Sequence, residues 1–115
     1  FARAVAEVLA GNGIRAYVAK VAAPTPVMSY SIIPLNAGGG VWITASHNPA
    51  TDNGYKLRSS YACAAAPETL AAVEANIAAA QARAEVKRMA YGEALRAGLV
   101  HEFDPNEPYL EQLTV

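Results

Sequence analysis

Apolar positions in the first 19 residues follow a helical period and then a strand period. One side of the first helix carries four apolar side chains: Phe1, Val5, Val8 and Leu9. Gly11-Asn12-Gly13 follows and supplies residues that tolerate the positive φ angles of a helix end. Residues 14–19 then place apolar side chains at every second position. This order predicts an α-helix, a tight turn and a strand.

A second helix and a second strand are predicted within residues 26–45. We expect Thr25 to cap the helix and Pro26 to occupy its first position, where the missing N–H costs nothing. The helix is expected to end near residue 35, and its inner face would hold four apolar side chains: Val27, Met28, Ile32 and Leu35. The β-branched and aromatic run Val41–Ala45 then predicts a strand.

The pattern after this strand is mainly helical. Residues 55–57 favour a short return strand, and Pro67 opens the strongest helical pattern, which runs to about residue 84. The side chains expected to face inward are Leu70, Val73 and Ile77. Residues 85–99 predict a helix interrupted at Gly92 and Gly98.

From residue 100 the composition shifts to a proline-punctuated segment that we interpret as a linker. Tyr109, Leu110 and Leu113 then begin another helical face. Because Phe1 stands where an initiator methionine would, and this last face reaches the final residue, we expect the sequence to be a piece of a longer chain. Residues 1–99 would form one domain, and residues 100–115 a linker and the start of a second domain.

Helices that alternate with strands at this spacing predict an α/β fold. We expect three layers, α/β/α, with a mostly parallel mixed sheet whose helices cover both faces. Ser46 would lie just beyond the end of the Val41–Ala45 strand, where loops of α/β proteins usually carry function.

Charge and composition exclude several classes of function. Nine Lys and Arg residues nearly balance ten Asp and Glu residues without a basic stripe, which argues against nucleic-acid binding. The 53% hydrophobic content reflects alanine, and no stretch approaches the ~20 strongly apolar residues of a transmembrane helix. The single cysteine, Cys63, excludes an internal disulfide and suits a reducing cytoplasm, so we expect a cytoplasmic protein with no membrane partner.

The polar segment 46–54 carries the candidate chemistry, and Ser46 has three possible roles. It could be an ordinary turn or capping serine, whose hydroxyl satisfies a main-chain amide. It could be a hydrolase nucleophile, although Thr44 and Asn48 occupy the positions that glycines take in a Gly-x-Ser-x-Gly elbow. It could instead carry or accept a phosphoryl group.

Neighbouring residues favour phosphoryl transfer without excluding the other roles. That reaction needs positive charge and N–H donors around the phosphoryl oxygens, together with a group that moves a proton. His47, Asn48 and Lys56 could supply these groups, although a lone histidine is more often structural and a lone lysine is more often a solvated surface charge. His101 has no acidic or thiol partner at ligand spacing, and we interpret it as structural or exposed.

The glycine triplet 38–40 does not predict a nucleotide-binding loop. It precedes a strand, whereas such loops follow a strand and open a helix. A tight connection between helix and strand explains it better.

Six consecutive residues, Thr44-Ala45-Ser46-His47-Asn48-Pro49, resemble the phosphoserine signature of the α-D-phosphohexomutases, the superfamily of phosphoglucomutases and phosphomannomutases. Asn53-Gly54-Tyr55-Lys56 at the expected distance and Pro24-Thr25-Pro26 upstream extend the resemblance, which covers residues 1 to about 84. It implies the first of four α/β domains in such an enzyme.

The resemblance also implies roles for the loop residues. Ser46 would carry the phosphoryl group that moves between the C1 and C6 oxygens of a hexose through a 1,6-bisphosphate. Lys56 would be a general acid or base, and His47 would contact the phosphoryl group or substrate. Thr44 and Asn48 would shape the substrate and phosphate loop.

Cofactors and partners follow from the same resemblance. Mg²⁺ would bind the phosphate oxygens on Ser46 and an aspartate-rich loop, glucose 1,6-bisphosphate would be the activator or intermediate, and a hexose phosphate would be the substrate. The aspartate loop belongs to the later domains II–IV, so we expect this chain alone to be inactive. Thr44, where phosphoglucosamine mutases usually have serine, favours glucose or mannose phosphates. The alternative is a non-catalytic sugar-phosphate-binding relative that keeps the signature loop.

Overall fold

The computed structural model describes residues 1–114, and its elements alternate between helices and strands. In chain order they are α1 (Ala2–Gly11), β1 (Ala16–Ala19), α2 (Thr25–Ser31), β2 (Gly39–Ile43), β3 (Tyr55–Ser59), α3 (Pro67–Arg83), α4 (Tyr91–Arg96), β4 (Val100–Phe103) and α5 (Asn106–Leu113). Strands β1 and β4 form a parallel two-stranded sheet, and β2 and β3 form an antiparallel pair. The predicted α/β class is confirmed.

The chain divides into two compact units that each combine distant segments. The first comprises Phe1–Val18 and Pro67–Phe103, and the second begins with Ala19–Ala66 and resumes at Asp104. The boundary predicted between residues 99 and 100 would separate two successive domains, whereas each compact unit combines two distant segments of the chain. The predicted boundary stays a prediction. Residue 115 of that predicted second domain lies outside the described residues.

The first unit has a core of small side chains. Its buried cluster consists of Ala6, Ala10, Ala16, Ala94 and Val100, and Ala94 is completely inaccessible to solvent. Alanine at these positions allows helices and strands to approach closely, because each side chain ends at Cβ. The predicted apolar face of α1 is therefore wrong in part. Phe1 is 81% exposed, whereas Ala6 and Ala10, two of the four alanines of α1, are buried.

A carboxylate in α1 organises the start of α4. Glu7 accepts a hydrogen bond of 2.6 Å from Arg88 Nε and one of 3.2 Å from the main-chain N–H of Tyr91. The second bond satisfies an N–H group in the first turn of α4, where negative charge is favourable. Hydrogen bonding and the positive charge of Arg88, with the Tyr91 amide, outweigh partial burial and lower the pKa of Glu7.

Helix α3 confirms the predicted span of the long helix but not its predicted inner face. Leu70 and Ile77 are 41% and 51% exposed, and the helix contains no buried residue. Alanine occupies seven of its 17 positions, so intrinsic propensity accounts for the helix without a buried apolar face.

Three local predictions in the later chain need correction. Residues 85–90 are not helical, since α4 begins only at Tyr91, and Gly92 lies inside that helix instead of breaking it. Gly98 does end the helical region, with a φ of 71°. The segment interpreted as a linker contains strand β4, and Val100 is buried in the core of the first unit.

The second unit holds the strand pair that supports the polar loop. Its buried apolar side chains include Val27, Ile32 and Trp42, and two of these belong to the predicted inner face of α2. The predicted cap is wrong, because Pro24 is the N-cap residue and Thr25 is already helical. Helix α2 also ends at Ser31, four residues before the predicted end, and turns follow it.

The register of β2 and β3 fixes which residues face each other. Val41 pairs with Leu57, Trp42 with Lys56, and Ile43 with Tyr55. The return strand predicted for residues 55–57 is thus confirmed as part of β3. The antiparallel pairing brings the end of β2 beside the start of β3, and both ends of the polar loop meet there.

Candidate functional site

The polar loop joins two neighbouring strand ends. Strand β2 ends at Ile43 and β3 begins at Tyr55, and the intervening residues 46–53 are all exposed. Turn hydrogen bonds shape the loop: the Asn48 N–H donates to the Ala45 carbonyl at 3.0 Å, and the Asp52 N–H donates to the Pro49 carbonyl at 2.9 Å. The side chains of the loop are therefore exposed to solvent, while the two strands at its ends are paired with each other.

Ser46 lies at the first bend of this loop in an uncommon main-chain conformation. Its φ is 56°, in the left-handed region, which costs a residue with a Cβ about 1–2 kcal/mol. The Ser46 N–H donates a 3.1 Å hydrogen bond to Thr44 Oγ1. This bond offsets part of the cost, since it occupies the amide in the strained conformation. Non-glycine residues in such conformations are concentrated at functional sites.

Lys56 makes the one direct contact to the Ser46 hydroxyl within the described hydrogen bonds. Its Nζ donates to Ser46 Oγ at 2.6 Å, although the two residues are ten positions apart. The register explains the proximity, because Lys56 lies at the second position of β3, beside the base of the loop. The ammonium group of Lys56 therefore donates to the hydroxyl oxygen that the family resemblance implies as the phosphoryl carrier.

His47 and Asn48 are also exposed in the loop, immediately after Ser46. Among residues 1–114, neither side chain has a hydrogen bond to Ser46 or Lys56. The structure thus brings Ser46, Thr44 and Lys56 together, and it places His47 and Asn48 next to them in the chain.

Gly54 takes part in the base of the loop, which the sequence analysis did not anticipate. The Thr44 N–H donates to the Gly54 carbonyl at 2.9 Å, one pair beyond the last strand pair. The Asn53-Gly54 dipeptide indicates only a turn when it is read along the chain. The bond to Thr44 depends on the register of β2 and β3, which no local signal specifies.

Two further polar groups lie on the strand pair that carries the loop. Trp42 Nε1 and Arg58 Nε are buried and have no hydrogen-bond partner among the described residues. Arg58 follows Lys56 by two positions in β3, so both side chains emerge from the same side of the strand. Partial burial raises the pKa of Tyr55, the residue between Gly54 and Lys56.

A preformed metal centre does not occur in the described part of the chain. Residues 1–114 contain no group of three or more His, Cys, Asp and Glu side chains that could hold a metal ion. If Ser46 carried a phosphoryl group, its phosphate oxygens would be hard ligands of the kind that Mg²⁺ prefers. In the same described region, no helix is long and apolar enough to cross a membrane.

Comparison with protein families identifies the chain. The family described as phosphoglucomutase/phosphomannomutase, alpha/beta/alpha domain I, matches residues 1–84, a range that includes the loop and both of its strands. The chain belongs to this family. The resemblance drawn from the Ser46 signature is confirmed, and so is the predicted position in domain I.

Curated relatives of this phosphoglucomutase/phosphomannomutase domain carry several mutase names. A probable phosphomannomutase of Haemophilus influenzae is 51% identical over 57 residues, which cover 50% of the chain and 12% of that protein. A phosphoglucosamine mutase of a Synechococcus species is 36% identical over 78% of the chain and 18% of its own length. A phosphoglucomutase of Komagataeibacter xylinus is 34% identical over 93% of the chain and 21% of its own length.

The chain thus spans about a tenth to a fifth of the length of these relatives. The names of these longer relatives denote mutases that differ in the sugar they act on.

Proposed function

We propose that this chain is the phosphoserine-loop domain of a phosphohexomutase, and that it carries the phosphoryl group on Ser46. The observation that supports the proposal best is the 2.6 Å hydrogen bond from Lys56 Nζ to Ser46 Oγ. A turn serine needs no such partner. An oxygen that alternately gains and loses a phosphoryl group does, because negative charge develops on it as the bond to phosphorus breaks.

The reaction begins with phosphate on Ser46. A hydroxyl oxygen of a hexose monophosphate attacks the phosphorus atom, the bond between phosphorus and Ser46 Oγ breaks, and a hexose 1,6-bisphosphate forms. The proton of the attacking hydroxyl leaves to a base, and Ser46 Oγ takes up a proton as it departs. After the sugar reorients, Ser46 Oγ attacks the other phosphate, which returns the phosphoryl group to Ser46 and releases the isomeric monophosphate.

Lys56 is the residue placed to serve Ser46 Oγ in both halves of this cycle. As an ammonium group it stabilises the departing oxygen and supplies its proton, and as an amine it accepts the serine proton in the return step. Its position in β3 keeps Nζ beside the loop while the loop contacts the substrate. His47 and Asn48 then bind the phosphoryl oxygens or the sugar from the exposed side.

Mg²⁺ would bind the phosphate oxygens on Ser46, and it would neutralise charge on the transferring group. Its remaining ligands would come from outside the described residues. The chain's own contribution is to hold the phosphorylated side chain at the first bend of a loop between paired strands, where other domains of a longer mutase reach it. We therefore propose that the substrate is a hexose phosphate and that domains II–IV complete the site.

The test is phosphoryl loading of the intact mutase. Incubation with glucose 1,6-bisphosphate should add one phosphoryl group to the protein, and peptide mapping should locate it on Ser46. The loaded protein should then interconvert a hexose 1-phosphate and the corresponding 6-phosphate. Binding of sugar phosphate without loading or turnover would indicate the non-catalytic relative instead.

A further inference from the structure

The position of Ser46 beside Lys56 depends on two hydrogen bonds made by a third residue, Thr44. Its N–H donates to the Gly54 carbonyl at 2.9 Å, and its Oγ1 accepts the N–H of Ser46 at 3.1 Å. The first bond joins the two ends of the loop, and the second fixes the main chain of Ser46 at its positive φ. We call these two bonds the loop clamp.

Gly54 permits the loop clamp because it lacks a Cβ. A Cβ built at Gly54 would lie 2.6 Å from the carbonyl oxygen of Thr44, a distance that real Cβ atoms essentially never adopt. The obstacle is main chain and cannot rotate away. The φ of Gly54 does not lie in the left-handed region, so close approach, and not conformation, is the reason for glycine here.

We infer that Thr44 and Gly54 are positioning residues that set Ser46 Oγ against Lys56 Nζ. The inference rests on the proposed function, since it assigns a purpose to the geometry of the same loop. Any side chain at position 54 separates the end of β2 from the start of β3. Ser46 follows the end of β2, and Lys56 lies near the start of β3. A larger distance between these strand ends therefore lengthens the 2.6 Å contact between the two side chains.

Position 39 offers a matched control at the opposite end of the same strand pair. A Cβ at Gly39 would lie 2.8 Å from the carbonyl oxygen of Arg58, a main-chain clash of nearly the same size. Gly39 pairs with Ser59, four strand positions away from the pair of Ile43 and Tyr55. Gly39→Ala therefore strains the strand pair without reaching the loop clamp.

The experiment compares Gly54→Ala with Gly39→Ala in the intact mutase. Both variants should lose thermal stability to a similar extent. Gly54→Ala should also lower kcat by about 10²-fold, because a misplacement of about 1 Å in reacting groups has that effect, while KM changes little. Gly39→Ala should keep the turnover of the wild type. Equal kcat values in the two variants at equal stability would overturn the inference.

A second pair of variants tests Thr44 without introducing a clash, and it decides the question if Gly54→Ala does not fold. Thr44→Val keeps the shape but removes the oxygen that accepts the Ser46 N–H, so kcat should fall by about 10–100-fold. Thr44→Ser restores that oxygen and should recover the turnover lost in Thr44→Val. Failure of serine to recover more turnover than valine would contradict the role of Oγ1.

Hydrogen exchange separates this inference from the proposed function. The amides of Thr44 and Ser46 should be protected in the wild type, less protected in Gly54→Ala and unchanged in Gly39→Ala, as read at single residues by mass spectrometry. If the wild type neither gains a phosphoryl group nor turns over substrate, the proposed function fails. The exchange measurement would still show whether the two hydrogen bonds of the loop clamp depend on Gly54. If the two glycine variants show the same exchange at these amides, the clamp fails whatever the activity.

Discussion

Lys56 donates a 2.6 Å hydrogen bond to the Ser46 hydroxyl across the base of an exposed loop. Two facts of the chain produce this contact. The antiparallel register places Lys56 beside the end of β2, and the positive φ of Ser46 turns the loop where its hydroxyl meets the ammonium group. The contact therefore depends on the fold, because a different register between β2 and β3 would separate the two side chains without any change in the sequence.

Replacement of the serine tests the phosphoryl carrier. In the intact mutase, Ser46→Ala should abolish turnover and phosphoryl loading almost completely. The fold should survive, because a loop hydroxyl contributes at most about 1–2 kcal/mol to stability. Steady-state rates and intact mass after incubation with glucose 1,6-bisphosphate measure both effects. Ser60→Ala, at another exposed serine, should behave like the wild type, and normal turnover by Ser46→Ala would refute the mechanism.

Replacement of the lysine separates proton transfer from phosphoryl transfer. Lys56→Met keeps the aliphatic stem but loses the proton-transferring group, so kcat should fall by roughly 10²–10⁴ while Ser46 still accepts phosphate slowly. Lys56→Arg keeps the positive charge but cannot release its proton near neutral pH, and it should recover only part of the rate. Lys20→Met, at an exposed lysine outside the loop, is the control. An unimpaired Lys56→Met would remove the acid–base role and leave the carrier role of Ser46 standing.

The isolated chain should not interconvert hexose phosphates measurably. Catalysis of phosphoryl transfer depends on positioning and on charge neutralisation, and the described residues bring only one cation and one hydroxyl into direct contact. A coupled assay with the purified 115-residue chain, compared with the intact mutase at equal molarity, checks this. Measurable turnover by the chain alone would show that the site is complete without further domains.

Regular elements of this fold were predictable from the sequence to the extent that local signals determine them. The spans of α1 and α3 and the return strand after the loop follow from period, turn residues and propensity. Burial was less predictable, because alanine serves both as the best helix former and as the core residue of the first unit. Leu70 and Ile77 were expected to be buried, yet it is small residues such as Ala6 and Ala94 that are buried.

The candidate site, too, was predictable only where adjacent residues determine it. The Ser46 signature is a run of adjacent residues, and the resemblance it carries named Lys56 as well. The residue pattern alone could not bring Lys56 to Ser46 or Gly54 to Thr44, because both contacts depend on the register between two strands. Gly54 carried a turn signal, and only the pairing of the strands reveals the main-chain contact that requires a glycine.

The ion pair between Glu7 and Arg88 should make stability depend on pH in the acid range. The folded-state pKa of Glu7 is lowered from 4.5, first by the hydrogen bond from Arg88, so the folded state binds the proton of this carboxyl less tightly than the unfolded chain does. The resulting stabilisation is therefore complete above pH 4.5 and is lost as the pH falls through the lower folded-state value.

Glu7→Gln should consequently lower the melting temperature at pH 7 and have a smaller effect at a pH below the lowered folded-state pKa of Glu7, where the wild-type carboxyl gains its own proton. Thermal unfolding followed by circular dichroism at both pH values measures the two differences. Glu85→Gln is a matched control, because Glu85 pairs with Arg83 at 3.5 Å but both side chains are more than 60% exposed, and such pairs contribute little. The Glu7 side chain is only 18% exposed and also holds the Tyr91 amide at the start of α4. If Glu7→Gln shifted the melting temperature equally at both pH values, the charge of Glu7 would not be the source of its effect, and its size and packing would be the remaining physical explanation.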